Sequence, residues 1–320
     1  MLRLTARSAR RLLCPALASF LVSIASAEAQ ELFKTPEDAA SALVSAARDN
    51  NLQRLYSILG ANGPKIASSG DRVLDAADRQ RFASAYDSRH SINQQGNSAT
   101  LLIGQDDFPF AIPLVRAFGH WKFDTRVGYR EITLRRLGRN ELNAIQTSLA
   151  FIDAQQDYAA KDRGQGAGTY AQRIVSSEKA KDGLYWEAAP GEEESPLGRL
   201  AADAAAEGYR TSQRPQPFHG YFYKVLKRQG SAAPGGAIDY IVGGKMIGGF
   251  ALLAYPAEYG RSGVMSFITS HAGTIYQKDL GPGTRYTAAR MTRFDPGRGW
   301  DKVSPDDLKP ADVGTAGNRP

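Results

Sequence analysis

Cysteine is almost absent: Cys14 is the single one in 320 residues. A chain that loses its first 29 residues loses its only thiol, which excludes disulfides, thiolate metal ligands and a cysteine nucleophile. Histidine is nearly as scarce, and His90, His120, His219 and His271 stand too far apart for an HxH or HxxxH ligand pair. No metal and no cofactor is expected on that spacing. A GxSxG elbow is missing too, as is a Lys-Ser or Lys-Thr after the glycine pairs Gly235-Gly236, Gly243-Gly244 and Gly248-Gly249. Those pairs read as hairpin turns and bulges, not as a phosphate cradle. The apolar run from Leu12 to Ala27 is interrupted by Pro15 and is short of the ~20 residues that a bilayer span needs.

That short run has a role of its own. Arg3, Arg7, Arg10 and Arg11 precede it, and Ala25-Ser26-Ala27 and Ala27-Glu28-Ala29 close it. A positive segment, an apolar segment and an Ala-x-Ala site together are a bacterial secretory signal. Residues 1–29 are therefore expected to be removed, by cutting after Ala29 or Ala27, leaving a periplasmic or secreted protein with no membrane span. Cys14 sits near the start of the apolar run, where a lipid-modified cysteine would follow it. Removal takes four basic residues and one acidic one, leaving 36 Lys and Arg against 32 Asp and Glu, a net +4. The charges are interspersed, so no nucleic-acid partner is expected; an envelope protein or anionic envelope polymer suits them.

The rest of the chain alternates in period. Thr35 is placed to cap a helix that begins with Pro36, Glu37 and Asp38 and carries Ala39, Ala40, Leu43, Val44 and Ala47 on one face. A second helix holds Leu52, Leu55, Tyr56 and Leu59 and stops at Gly60, and a third runs from about Leu74 to Tyr86. Strands follow over Ser98 to Ile103, Phe110 to Ala117 and His120 to Asp124, with a reversal at Phe118-Gly119. Gly138 is read as a break and Asn140 as the next cap, opening the longest helix, about Glu141 to Lys161. A short Ala-rich helix is expected near Leu197 to Glu207. A meander over Tyr221 to Arg228, Ala237 to Val242, Met246 to Tyr255, Gly263 to Ser270 and Thr274 to Lys278 comes next. The fold class is therefore α+β: helices plus an antiparallel sheet, then a long helix packed on an antiparallel meander. The divisions expected are 30–136 and 137–300, with a disordered tail over 301–320.

Three resemblances accompany this order. Helices followed by a meander ending in Gly-His-Trp-Lys-Phe resemble the cone-shaped nuclear-transport-factor-2-like folds, which implies a hollow able to hold a small ligand. AIQTSLAFIDAQQDY at 144–158 and FALLAYPAEYGRSGVMSFITSHAGTIY at 250–276 resemble the headgroup of type IV pilins and pseudopilins, without the apolar half-helix that polymerises them. LGRNELNAIQ at 137–146, PFHGYFYKVLKRQGSAAPGGAIDYIVGGKMIGGFALLAYPAEYG at 217–260 and YQKDLGPGT at 276–284 resemble an uncharacterised exported bacterial family, the domain-of-unknown-function family numbered twenty-nine fifty. That kinship implies export and leaves the chemistry open.

For function, the sequence points first to a non-catalytic binding module. Its expected surface is the loop carrying Tyr255, Glu258, Tyr259 and Arg261, with His271 adjacent and Lys245 on a neighbouring hairpin; tyrosines there would make adaptable contacts. The alternative is a periplasmic hydrolase with Glu258 or Asp239 acting with His271 between the two halves. Strand alternation by itself places such carboxylates outward as plain surface groups. A small-ligand carrier using the N-terminal hollow is the third reading.

Overall fold

The computed structural model describes residues 30–178, 180–210, 216–304 and 306–308. The expected signal, residues 1–29, lies outside the described residues. The fold is α+β. Helices α1 (Pro36–Arg48), α2 (Leu52–Leu59), α3 (Gly63–Ala67) and α4 (Arg72–Ser88) come first. Thr35 caps α1 through the backbone N–H of Asp38, whose carboxylate accepts in return from Thr35 N–H, the reciprocal box that satisfies two free donors. Strands β1 (His90–Gln95), β2 (Ser98–Ile103), β3 (Phe108–Pro109), β4 (Leu114–Ala117) and β5 (His120–Phe123) then form an antiparallel sheet in the order β1-β2-β4-β5, with β3 also on β2. Phe118 and Gly119 turn β4 into β5 with φ of 52° and 82°, the two left-handed residues that a two-residue hairpin turn requires. Strand β1 escapes the period-2 reading because it is polar and almost wholly exposed; only its ladder to β2 defines it.

The helices and this sheet close on one core that includes Leu43, Val44, Ile58, Leu101, Ile103, Ile112, Leu114 and Phe123, all buried. The face of the sheet toward the helices is thus filled by side chains, and the space expected there as a ligand-holding hollow is occupied by the protein's own core.

Helix α5 (Thr125–Ala160) runs unbroken for 36 residues, against the expectation of a break at Gly138 and a cap at Asn140. Asp124 is the cap instead, accepting from Val127 N–H. Gly138 is exposed with open space around its α-carbon, so nothing kinks the helix there. Asn140 is wholly buried mid-helix and donates to the Ser262 carbonyl at 2.9 Å. Beyond it, Ala144, Ile145, Ser148, Phe151, Ile152, Gln155 and Tyr158 form a buried stripe at three- and four-residue spacing.

That stripe covers the second sheet. After β6 (Arg173–Val175), β7 (Gly183–Tyr185) and α6 (Gly198–Ala206) come β8 (Tyr221–Leu226), β9 (Arg228–Gln229), β10 (Ile238–Asp239), β11 (Ile241–Val242), β12 (Lys245–Met246), β13 (Ala251–Pro256), β14 (Met265–Ser270), β15 (Ile275–Asp279), α7 (Thr284–Arg290) and β16 (Asp301–Lys302). The large sheet is antiparallel in the order β16-β15-β14-β13-β8. The single strand expected over Met246 to Tyr255 is cut by Gly248-Gly249, where Gly249 has φ 131°. The tail expected to be disordered from 301 instead adds an edge strand, β16, and buries Val303; residues 309–320 lie outside the described residues.

Two glycines of α5 test its continuity in opposite directions. A Cβ on Gly128 would lie 2.6 Å from the Ile112 α-carbon, so Gly128→Ala should lower stability by about 1–3 kcal/mol. Gly138→Ala, in open space within a helix, should raise it by about 0.5–1 kcal/mol. Thermal or urea unfolding reads both, and a destabilising Gly138→Ala would contradict a straight helix.

Candidate functional site

Where α5 passes between its two cores, a buried polar cluster joins the halves. Asp71 caps α4 through Val73 and Leu74 N–H, and its other oxygen accepts from the Tyr209 hydroxyl at 2.8 Å and Gly220 N–H at 3.0 Å. Burial first, then the Asp71 charge, push the Tyr209 phenol far above its ordinary value, so it is a fixed donor. Gly220 fits because it has no side chain: φ is 80° and a Cβ would come 2.5 Å from Asn140 Nδ2. Beside it, Asp75 accepts twice from Ser69 N–H, and burial holds its carboxyl above the ordinary 3.8. Arg136 donates to the Ile66 carbonyl and Arg139 to Asp78 at 2.6 Å. His219 Nε2 lies 2.6 Å from Glu207 Oε2, and this bond holds the Glu207 carboxyl below its usual range.

Part of the loop expected as a binding surface is spent on this junction. Arg261 donates to Glu258 and to the Ser68 carbonyl, and Glu258 lies against Gly70 so closely that a Cβ there would meet it at 2.8 Å. Tyr259 donates to Asp279 at 3.1 Å, and Tyr255 packs on Phe222, ring centres 5.6 Å apart. His271 is elsewhere, edge-on to Tyr240 and beside Gly249 at the Phe250 end of β13. Glu258 lies past the Pro256 end, so the strand's six residues, about 20 Å at ~3.3 Å each, separate them. Lys245 also belongs to the far end, on β12 near Gly166. Asp239 is exposed on β10 and accepts from Ile241 N–H. The structure thus brings Tyr255, Glu258, Tyr259 and Arg261 together and leaves Lys245 and His271 apart from them.

The open concavity is different. A cleft of about 510 Å³ lies between α5, β6, α6 and β8. Phe151, Tyr223, Val225 and Leu252 line it from the helix and sheet, Ile174 and Val175 from β6, and Leu200, Ala201 and Ala204 from α6. Tyr209 and Phe218, packed edge to face 5.0 Å apart, line it next to the polar cluster. The buried Tyr223 hydroxyl makes no hydrogen bond of normal geometry; burial pushes its pKa well up, opposed by the neighbouring Thr147 side chain. Among the described lining residues the charged ones are Arg173 and Arg210, with no carboxylate. The short Ala-rich helix expected near Leu197 to Glu207 is α6; the sequence reading did not anticipate β6 or that α6 lines a cleft. The three- and four-residue spacing of Leu197, Leu200/Ala201 and Ala204 was the available signal.

Over residues 30–303 the chain matches the family described as Protein of unknown function (DUF2950). The chain belongs to this family. No curated protein matches it, and no solved structure does. Membership in DUF2950 assigns no chemistry to these residues, so the reading of the site rests on its geometry.

The junction makes its own prediction. Asp71→Ala removes a helix cap and strands the Tyr209 hydroxyl and Gly220 N–H, and should cost about 3–5 kcal/mol. Tyr209→Phe, which leaves the cap intact, should cost about 1 kcal/mol. Equal losses in urea unfolding would place the energy in the tyrosine alone.

Proposed function

We propose that the chain is an exported binding module that performs no reaction of its own and takes its ligand in the cleft between α5, β6, α6 and β8. The observation that carries this reading is α6: Leu200, Ala201 and Ala204 line the cleft, yet no residue of this nine-residue helix is buried. An amphipathic helix is held by covering its apolar face, and here the protein leaves that face over a cavity. Its volume falls within the ~300–1,000 Å³ of small-molecule sites. Export is supported by Arg3, Arg7, Arg10 and Arg11 and by the Ala-x-Ala sites before residue 30. An envelope protein or polymer remains a partner for Tyr255 and Tyr259, the half-buried aromatics of the 255–261 loop.

The test is titration with a neutral apolar fluorophore, N-phenyl-1-naphthylamine. Saturable binding is expected, and Ala204→Trp, which fills the cleft from α6, should weaken it about tenfold or more while leaving the unfolding midpoint within a few degrees. Absent binding, or binding indifferent to Ala204→Trp, would reject the cleft. Export is checked separately: expressed with residues 1–29 in a bacterium, the protein should leave the cytoplasm and begin at Gln30 or Glu28. An intact leader on cytoplasmic protein would reject it.

A further inference from the structure

We infer that the ligand of this cleft is an amphiphile with one anionic group, its apolar body against Phe151, Leu200, Val225 and Leu252 and its carboxylate or phosphate at Arg173 and Arg210. The inference rests on the cleft being a binding site and adds the chemistry of what enters. The described lining is mostly aliphatic and aromatic, with two guanidinium groups and no acid. A fully apolar ligand would not need those cations, and a cationic one would be repelled by them.

Neighbouring carboxylates pair with these arginines only loosely, and among the described residues only with Arg173. Asp182 approaches Arg173 only to 3.8 Å, outside hydrogen-bond range, because its oxygens already accept from Ser177 N–H and hydroxyl at 2.7 and 2.8 Å. Glu207, just after α6, is taken by His219, and Asp71 by four donors. Arg210 has no ion pair with a described residue. Both arginines are exposed, and the Arg173 contact with Asp182 is a long one made through Nε, so each keeps guanidinium N–H groups to turn to a carboxylate or phosphate. Cations at the edge and apolar walls within are the arrangement that an anionic head and an apolar tail complement.

The experiment displaces N-phenyl-1-naphthylamine from the purified protein with decanoate, decyl phosphate and 1-decanol, at fixed ionic strength and below their micellar concentrations. Decanoate or decyl phosphate should compete about tenfold or more better than 1-decanol, since charge-assisted bonds carry the difference; whichever anion is stronger identifies the head group. The double substitution Arg173→Gln/Arg210→Gln should abolish that preference and leave 1-decanol unchanged. Both side chains are at the surface, so the variant is expected to fold, and its unfolding curve verifies this. Equal competition by anion and alcohol, or a preference that survives the double substitution, overturns the inference while the cleft still binds the fluorophore. No fluorophore binding at all rejects the cleft itself, and this inference with it.

Discussion

One helix serves two cores. At 36 residues and ~1.5 Å per residue, α5 is about 54 Å long, longer than either core alone can cover. Its first turns press Gly128 onto Ile112 in the N-terminal core, and its second half lays Ala144 to Tyr158 over the large sheet. The parts of the molecule must therefore meet along its middle, and there the packing is polar. Arg136, Arg139 and Asn140 occupy that stretch and bond Ile66, Asp78 and Ser262 from different segments.

A polar junction of this kind is costly unless each group is matched. Asp71 is matched on both oxygens, which ties the start of α4 to Tyr209 and to the start of β8. Tyr209 also lines the cleft. The same residue is thus a strut of the junction and part of the wall where a ligand would sit, so cleft and junction share one side chain. Arg261 and Glu258 complete the junction from the other side of Gly220 by reaching Ser68 and Gly70.

Much of the secondary structure was legible from local chemistry. The Thr35 cap, the apolar stripe of α1, the Phe118-Gly119 turn and the strands Tyr221–Leu226, Met265–Ser270 and Ile275–Asp279 follow from caps, periods and turn residues that act within a few positions. Failures had physical reasons as local as the successes. Gly138 lowers helix propensity by only ~1 kcal/mol, which packing on both sides of it overrides. Strand β1 has no apolar alternation because Ile92 is its one residue packed against the core. The tail at Asp301–Lys302 is held by a ladder to β15 and by Val303 in the core, contacts that composition cannot anticipate.

The candidate site was less legible. Phe151, Ile174, Leu200 and Tyr223 come from four elements, and nothing in their spacing says that they enclose one cleft. By contrast, the cluster of Tyr255, Glu258, Tyr259 and Arg261 was visible because its members are neighbours in the chain, yet what Arg261 and Glu258 do there depended on Ser68 and Gly70, nearly two hundred residues away. The sequence alone determined the α+β class, the family kinship and the near-absence of thiol chemistry, since these depend on residue type and short-range order. Only the tertiary structure decided that the N-terminal hollow is filled, that α6 stands over an open cavity and that two arginines there lack a carboxylate among the lining residues, because each is a relation between segments that only packing brings together.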